Sequence, residues 1–256
     1  MSIGQSLGRY ATGIVALRPG DVWLASFPRT GNTWVRTLLA NLISLSELTG
    51  REVDHHYVRD TMPSLGSSNL LEPWPFKALP RFIKTHQRYR PVLFAVPHKT
   101  VYVLRDPRDV MVSYFHFRQS RKSHPYQGSF AEFIRDPHHG LRGCVQHYCS
   151  WSPHITYLVR YEELLNDTRA ELQEMLTALG ITVSDELVQQ AVARSSFRRM
   201  QQIEQTTGAP HPERVGDAKL RGPRKGQSRQ WPDYFSDEDI LLFDKICEEY
   251  EFDLYT

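Results

Sequence analysis

Long apolar runs are missing from these 256 residues. No stretch approaches the roughly 20 consecutive apolar residues that a membrane-spanning helix needs. Met1 to Gly20 hold only a short apolar stretch around Ile14 to Leu17 before Arg18 and Pro19, so neither a signal peptide nor a transmembrane segment is expected. Cysteine is scarce as well. Cys144, Cys149 and Cys247 are an odd number without a C-x-x-C pair, which excludes a disulfide framework and a zinc knuckle and fits the reducing cytoplasm. An excess of one charge is also absent: 31 Lys and Arg face 29 Asp and Glu, a net +2, too balanced for a protein that coats nucleic acid. Any anion site must therefore be local. The histidine pairs His55-His56 and His138-His139 have no carboxylate or cysteine at ligand spacing, and no metal is expected.

What is present reads as one α/β domain spanning residues 1–256, with 40% hydrophobic and 23% charged residues. Four short β-prone runs stand out: Asp21 to Phe27, Arg81 to Lys84, Lys99 to Arg105 and Ile155 to Val159. Several show little polar alternation, as strands covered on both faces do. Helical patterns separate them. Trp34, Leu38, Leu42 and Leu45, widened by Val35, Leu39 and Ile43, form a buried stripe. Further helices are predicted over Asp109 to Phe117, Arg169 to Leu179 and Asp237 to Tyr250, the last opened by the capping pair Ser236 and Asp239. Alternation of strand and helix predicts a central, mainly parallel sheet flanked by helices. Thr206 to Pro232 has glycines, prolines and charges without apolar periodicity and is expected to be a long loop.

Three segments suit phosphate. Pro28 to Trp34 places Arg29, Thr30, Gly31, Asn32 and Thr33 between a buried strand and the first turn of a helix, where free amides can cradle an anion. Arg29 adds a forked positive charge, and Gly31 permits close backbone approach. A second strand end, Leu104 to Asp109, supplies Arg105, with Ser113 on the helix that follows. A third segment, Arg221 to Arg229, carries Arg224, Lys225 and Gly226. Each has a structural alternative: a tight turn, a capped helix start, a solvated charge run. The fingerprint G-x-x-x-x-G-K-[ST] is absent, which weighs against a P-loop-type nucleotide kinase or hydrolase. A nucleotide-binding module whose catalysis has lapsed is the other alternative.

The string FPRTGNTW resembles the 5′-phosphosulfate loop of the cytosolic-type sulfotransferases, usually Y-P-K-S-G-T-T-W, and LRDPRDVMVSYFHF resembles their 3′-phosphate element. Lys84-Thr85-His86 matches their K-T-H, and Tyr161-Glu162, Ser195-Ser196-Phe197 with Met200, and Arg224-Lys225-Gly226 extend the likeness from Asp21 to about Phe235. The sequence is similar to a bacterial-like, small-molecule member of that family. The resemblance implies a P-loop-like sulfotransferase fold and a sulfuryl donor, 3′-phosphoadenosine 5′-phosphosulfate (PAPS), leaving as 3′-phosphoadenosine 5′-phosphate (PAP).

By the same resemblance, His86 is the general base, with Lys84 and Arg29 near the transferring group. An imidazole with a pKa near ~6.5 suits the first task. Trp34 and Phe197 would lie against adenine, with Tyr161 and Ser195 beside it. Arg105, Ser113, Arg224, Lys225 and the backbone at Gly226 would hold the 3′-phosphate. Two departures are visible. Arg29 stands where the family has lysine, and Arg229 occupies the second glycine of R-K-G-x-x-G, so an altered closing turn is expected there. No K-T-V-type dimer motif is found. The acceptor is read as a small molecule, an apolar or aromatic alcohol suiting Trp74, Phe76, Tyr89 and Tyr126 in the segments outside the motifs. Residues 206–222 are expected to form a mobile lid.

Overall fold

The computed structural model describes residues 16–91, 94, 98–207 and 228–255. The expected lid at 206–222, apart from its first two residues, and Arg224, Lys225 and Gly226 lie outside this range.

Among the described residues four parallel strands form the sheet: β1 (Val22–Ser26), β2 (Phe82–Thr85), β3 (Lys99–Leu104) and β4 (Tyr157–Arg160), in the order β2-β1-β3-β4. In register, Leu24 pairs with Lys84 on one side and Val101 on the other, and Val103 pairs with Val159. All five residues of β1 are buried, as expected of a central strand covered on both faces.

Successive strand residues feed two cores. Val22, Leu24, Phe82, Val101 and Val103 pack with α1 (Asn32–Ser46), whose Leu38, Leu39, Leu42 and Ile43 have no exposed surface. The same core takes Leu172 and Leu176 of α7 (Thr168–Ala178) and Val188 of α8 (Asp185–Arg194). Trp23, Ala25, Ile83, Tyr102 and Leu104 point the other way. They meet α3 (Pro107–Gln119), α4 (Phe130–Arg135), α5 (Leu141–Trp151) and α10 (Asp237–Tyr250). Short α2 (His55–Thr61) precedes β2, α6 (Tyr161–Asn166) follows β4 directly, and α9 (Phe197–Thr207) follows α8.

The chain leaves β1 for β2 on one side and returns to β3 on the other. That reversal opens a crevice at the carboxyl ends of β1 and β3, the usual ligand position in such sheets. Local chemistry fixes what enters it. Asp106 caps α3 by accepting from the Arg108 amide at 2.9 Å, with Pro107 in the first turn where its missing N–H does no harm. Ser236 and Asp239 form the expected capping box on α10.

Candidate active site

The amino terminus of α1 has the geometry expected of an anion cradle. Gly31 is its N-cap, with φ 102°, and no side chain caps the helix, so the first amides are left for a ligand. Glycine is required twice over. Its φ lies in the left-handed region, and a Cβ there would stand 2.5 Å from Cδ2 of Tyr161, whose ring closes over the turn from the start of α6. Two of the side chains expected to grip phosphate face inward instead. The Thr30 hydroxyl donates to the Phe27 carbonyl at 3.0 Å and has no exposed surface, and Asn32 Nδ2 donates to Ser26 Oγ at 3.1 Å. They shape the loop, and Thr33 is the exposed residue of this turn.

Arg29 precedes this turn with φ 74°, an uncommon conformation for a residue with a Cβ. Its Nε donates to Ser113 Oγ at 3.2 Å, and its guanidinium lies 5.0 Å from the Phe117 ring centroid. The first phosphate loop and α3 are thus joined through an arginine and a serine assigned to opposite ends of the donor. Arg105, buried at the end of β3, pairs with Asp109 at 3.3 Å and lies 4.6 Å over the Tyr161 ring. Trp34 meets Tyr161 edge-on at 6.0 Å. Gly31, Trp34, Arg105 and Tyr161 therefore converge.

Ser195 has a different environment. It is fully buried, its Oγ accepting from Asn41 Nδ2 at 3.0 Å, and it fastens the α8–α9 junction to α1. Half-buried Phe197 opens α9 two residues later.

His86 follows the end of β2. Its Nδ1 lies 2.7 Å from the Ser26 carbonyl, a contact only an N–H can make, so the proton sits on Nδ1 and the lone pair on Nε2. Burial and the charge of Lys84 push its pKa well below the ordinary value, with the Ser26 carbonyl pulling the other way. The imidazole is neutral at physiological pH. Lys84, two residues earlier, has its pKa lowered to about 8 by burial and by the charge of Arg36.

Several working residues carried no sequence signal of their own. Asp109, near the start of α3, accepts from the amides of Arg229, Gln230 and Trp231 at 2.7, 2.8 and 3.1 Å. It fixes the chain returning from the third basic segment. Arg229 has φ 59°, the region a glycine would take, so the turn expected to differ keeps a glycine-like backbone at this residue. Behind the strand ends, buried Tyr102 Oη meets His147 Nδ1 at 2.8 Å, and burial drives the His147 pKa down to about 4. A tyrosine inside an otherwise apolar strand was the available clue.

One expectation is overturned. Trp74 and Phe76 line a cavity of about 330 Å³ with Arg18, Lys77 and Arg81, beside the segments that enter β1 and β2. They lie at the opposite end of the strands from His86. Among the described residues no group of three or more His, Cys, Asp or Glu side chains is placed to hold a metal ion, and no helix is long and apolar enough to cross a membrane.

The sulfotransferase domain family matches residues 19–253. The chain belongs to the sulfotransferase family. Human sulfotransferase 1E1 is 28% identical over 251 residues, covering 91% of this chain and 83% of the relative. Bovine sulfotransferase 1A1 is 27% identical over 242 residues, covering 88% and 81%. Among solved structures, mouse sulfotransferase SULT7A1 complexed with PAP superposes with a TM-score of 0.73 at 23% identity, covering 99% of this chain and 91% of that one. Retinol dehydratase, in complex with androsterone and inactive cofactor PAP, gives 0.72 at 22% identity, covering 98% and 86%. The sheet with its flanking helices is therefore the sulfotransferase fold.

Proposed function

We propose that this sulfotransferase moves the sulfuryl group of PAPS to a hydroxyl or amine of a small-molecule acceptor, with His86 as general base. The observation that carries the reading is the His86 tautomer: Nδ1 is tied to Ser26 at the end of the strand that feeds the anion cradle, leaving Nε2 as the free base.

When bound, the donor supplies a sulfuryl group already activated by its phosphate leaving group. The open amides at the start of α1 suit its 5′-phosphate, and the close approach of the Tyr161 ring to Gly31 supports a cradle that admits only backbone at that point. Arg105 and Ser113 suit the 3′-phosphate, and Trp34 with Phe197 the adenine. His86 Nε2 accepts the acceptor's proton as its oxygen or nitrogen bonds to sulfur. Arg29 stabilises the electron pair that stays on the departing phosphate oxygen, and Lys84 the charge on the transferring group. Arginine serves here because a phosphate leaving group needs charge more than a proton. Retinol dehydratase has been solved in complex with androsterone and with retinol, both small molecules, and the aromatic residues beside the crevice, Phe27, Tyr114 and Phe117, suit an organic acceptor.

Calorimetric titration with PAP, beside ATP and 5′-AMP, tests the donor. Tight binding of PAP alone is expected, and preference for ATP would overturn the reading. With an acceptor found by screening, His86→Ala should lower kcat by roughly 10²–10⁴ while PAP still binds. Near-normal turnover would remove His86 from its role.

A further inference from the structure

The donor-binding groups stand over β1, β3 and β4: the α1 amides, Arg29 with Ser113, Arg105 and Tyr161. Over β2, on the other side of the Ser26–His86 contact, lies a different set. Arg36 is one helical turn beyond Asn32 on α1. Its Nη2 donates to the carbonyls of Met62 at 2.9 Å and Val58 at 3.4 Å, where α2 ends. The next residues run alongside β2, the Lys84 amide donating to the Pro63 carbonyl at 2.8 Å and the Leu65 amide to the Lys84 carbonyl at 2.9 Å. Arg36 is thereby held beside Lys84.

Among the described residues no carboxylate balances these two cations, and Arg36 Nε is buried without a partner. Burial lowers the Arg36 pKa to about 10, and its charge depresses both Lys84 and His86. A desolvated guanidinium beside an ammonium is unfavourable unless an anion joins them. One anion, the transferring sulfuryl group, is assigned to Lys84. Arg36 remains.

We propose that the acceptor carries a fixed oxyanion, a carboxylate or a sulfate or phosphate ester, near the group that is sulfated, and that Arg36 holds it. The inference rests on the sulfotransferase reading and narrows its acceptor from apolar alcohols to acidic ones. Arg36 is a specificity residue. It lies outside the donor cradle, and the fork of its guanidinium suits two oxygens of one anion.

The experiment titrates the PAP-saturated protein with 4-hydroxyphenylacetate, its neutral amide, and tyramine, three phenols that differ in charge. The acid should bind at least about 10-fold tighter than the amide, with tyramine weakest, the factor expected of one charge-assisted contact. Arg36→Gln, which keeps a donor for Met62 but no charge, should bring the acid-to-amide ratio to about 1–2, and Arg36→Lys should restore most of it. A purely structural clamp would leave the ratio unmoved in both variants, and that outcome overturns the proposal. So does equal binding of acid and amide, or no binding of the acid. PAP titrated into the same samples separates the two failures: PAP bound with the acid ignored sinks only the anion site, whereas loss of PAP binding by the wild-type protein removes the underlying reading.

Discussion

The two ends of β2 handle positive charge in opposite ways. Arg81, just before the strand, is buried and fully answered: Nε and Nη2 donate to the two oxygens of Asp21 at 3.0 and 2.6 Å, and Nη1 and Nη2 also reach the carbonyls of Leu70 and Ala16. Lys84, three residues on, has no carboxylate partner among the described residues and a pKa lowered to about 8. A charge whose counter-ion is folded in thus precedes the strand, and the strand itself carries another that has no counter-ion among the described residues. A matched buried charge reports on the fold, and an unmatched one reports on a ligand.

Removing each cation should break the comparison in opposite directions. Arg81→Met strands Asp21 in the interior and should cost about 3–5 kcal/mol of stability in denaturant titrations. Lys84→Met relieves the repulsion with Arg36. It should raise the unfolding free energy by about 0.5–2 kcal/mol while turnover collapses, the usual trade between stability and a functional site. A destabilised Lys84→Met protein would mean that Lys84 has an internal partner and belongs with Arg81.

Next in size is Gly31→Ala. The left-handed φ and the 2.5 Å approach of Tyr161 both oppose a Cβ, and the turn must shift to admit it. Strain of about 1–3 kcal/mol at such a position should appear as PAP affinity weakened by roughly 10-fold or more, with a smaller loss in thermal stability. Unchanged PAP affinity would place the donor elsewhere.

The Lys84 contrast also has a pH signature. The folded pKa of about 8 lies below the ordinary 10.5, so the folded state binds this proton less tightly than the unfolded chain does. The resulting destabilisation is complete below pH 8 and is relieved between pH 8 and 10.5. Activity should move the other way, kcat/KM falling as the ammonium is lost above pH 8. His86, held well below its ordinary 6.5, places the acid limb below that value. Parallel denaturation and rate profiles measure the divergence. Lys84→Arg should flatten the alkaline limb, and a limb that persists in that variant assigns it to another group.

How much of this was legible beforehand follows from the same physics. The four strands are short, mostly β-branched or aromatic runs, and the α1 stripe is wide and regular, so their positions followed from pattern with boundaries shifted by a residue or two. Helices α2, α4, α5, α6, α8 and α9 were not expected from the pattern, α5 and α8 being the instructive cases. On α5 the buried face mixes Leu141, Cys144, Val145 and Trp151 with Gly143 and His147, and on α8 only Val188 and Ala191 are buried, so neither carries the long stripe of large apolar residues that marks α1. In the candidate site, ordered motifs pointed to the strand-to-helix turn, but motif order does not say which way a side chain turns. Thr30 and Asn32 face inward because the loop needs their hydrogen bonds, and Ser195 because Asn41 does. Trp74 and Phe76 lie in a segment without periodicity, and composition alone placed them at the wrong end of the sheet. Arg36 was invisible because an arginine on a helix is ordinarily a solvated residue.

The smallest expected effect concerns Arg229, the arginine in a glycine's place. Its backbone sits at φ 59°, and its amide is fixed by Asp109 at 2.7 Å while the side chain is exposed. An L-residue there bears strain of roughly 1–2 kcal/mol. Glycine would remove the strain but add unfolded-chain entropy worth about 0.5–1 kcal/mol. Arg229→Gly should therefore raise stability by no more than about 1 kcal/mol, read as a small increase in denaturant midpoint at constant m-value. Because the strained turn is held through backbone amides, PAP affinity should change by less than about twofold. A larger loss of affinity, with stability unchanged, would show that the exposed guanidinium reaches the donor, and Arg229 would then join Lys84 among the charges kept for a ligand.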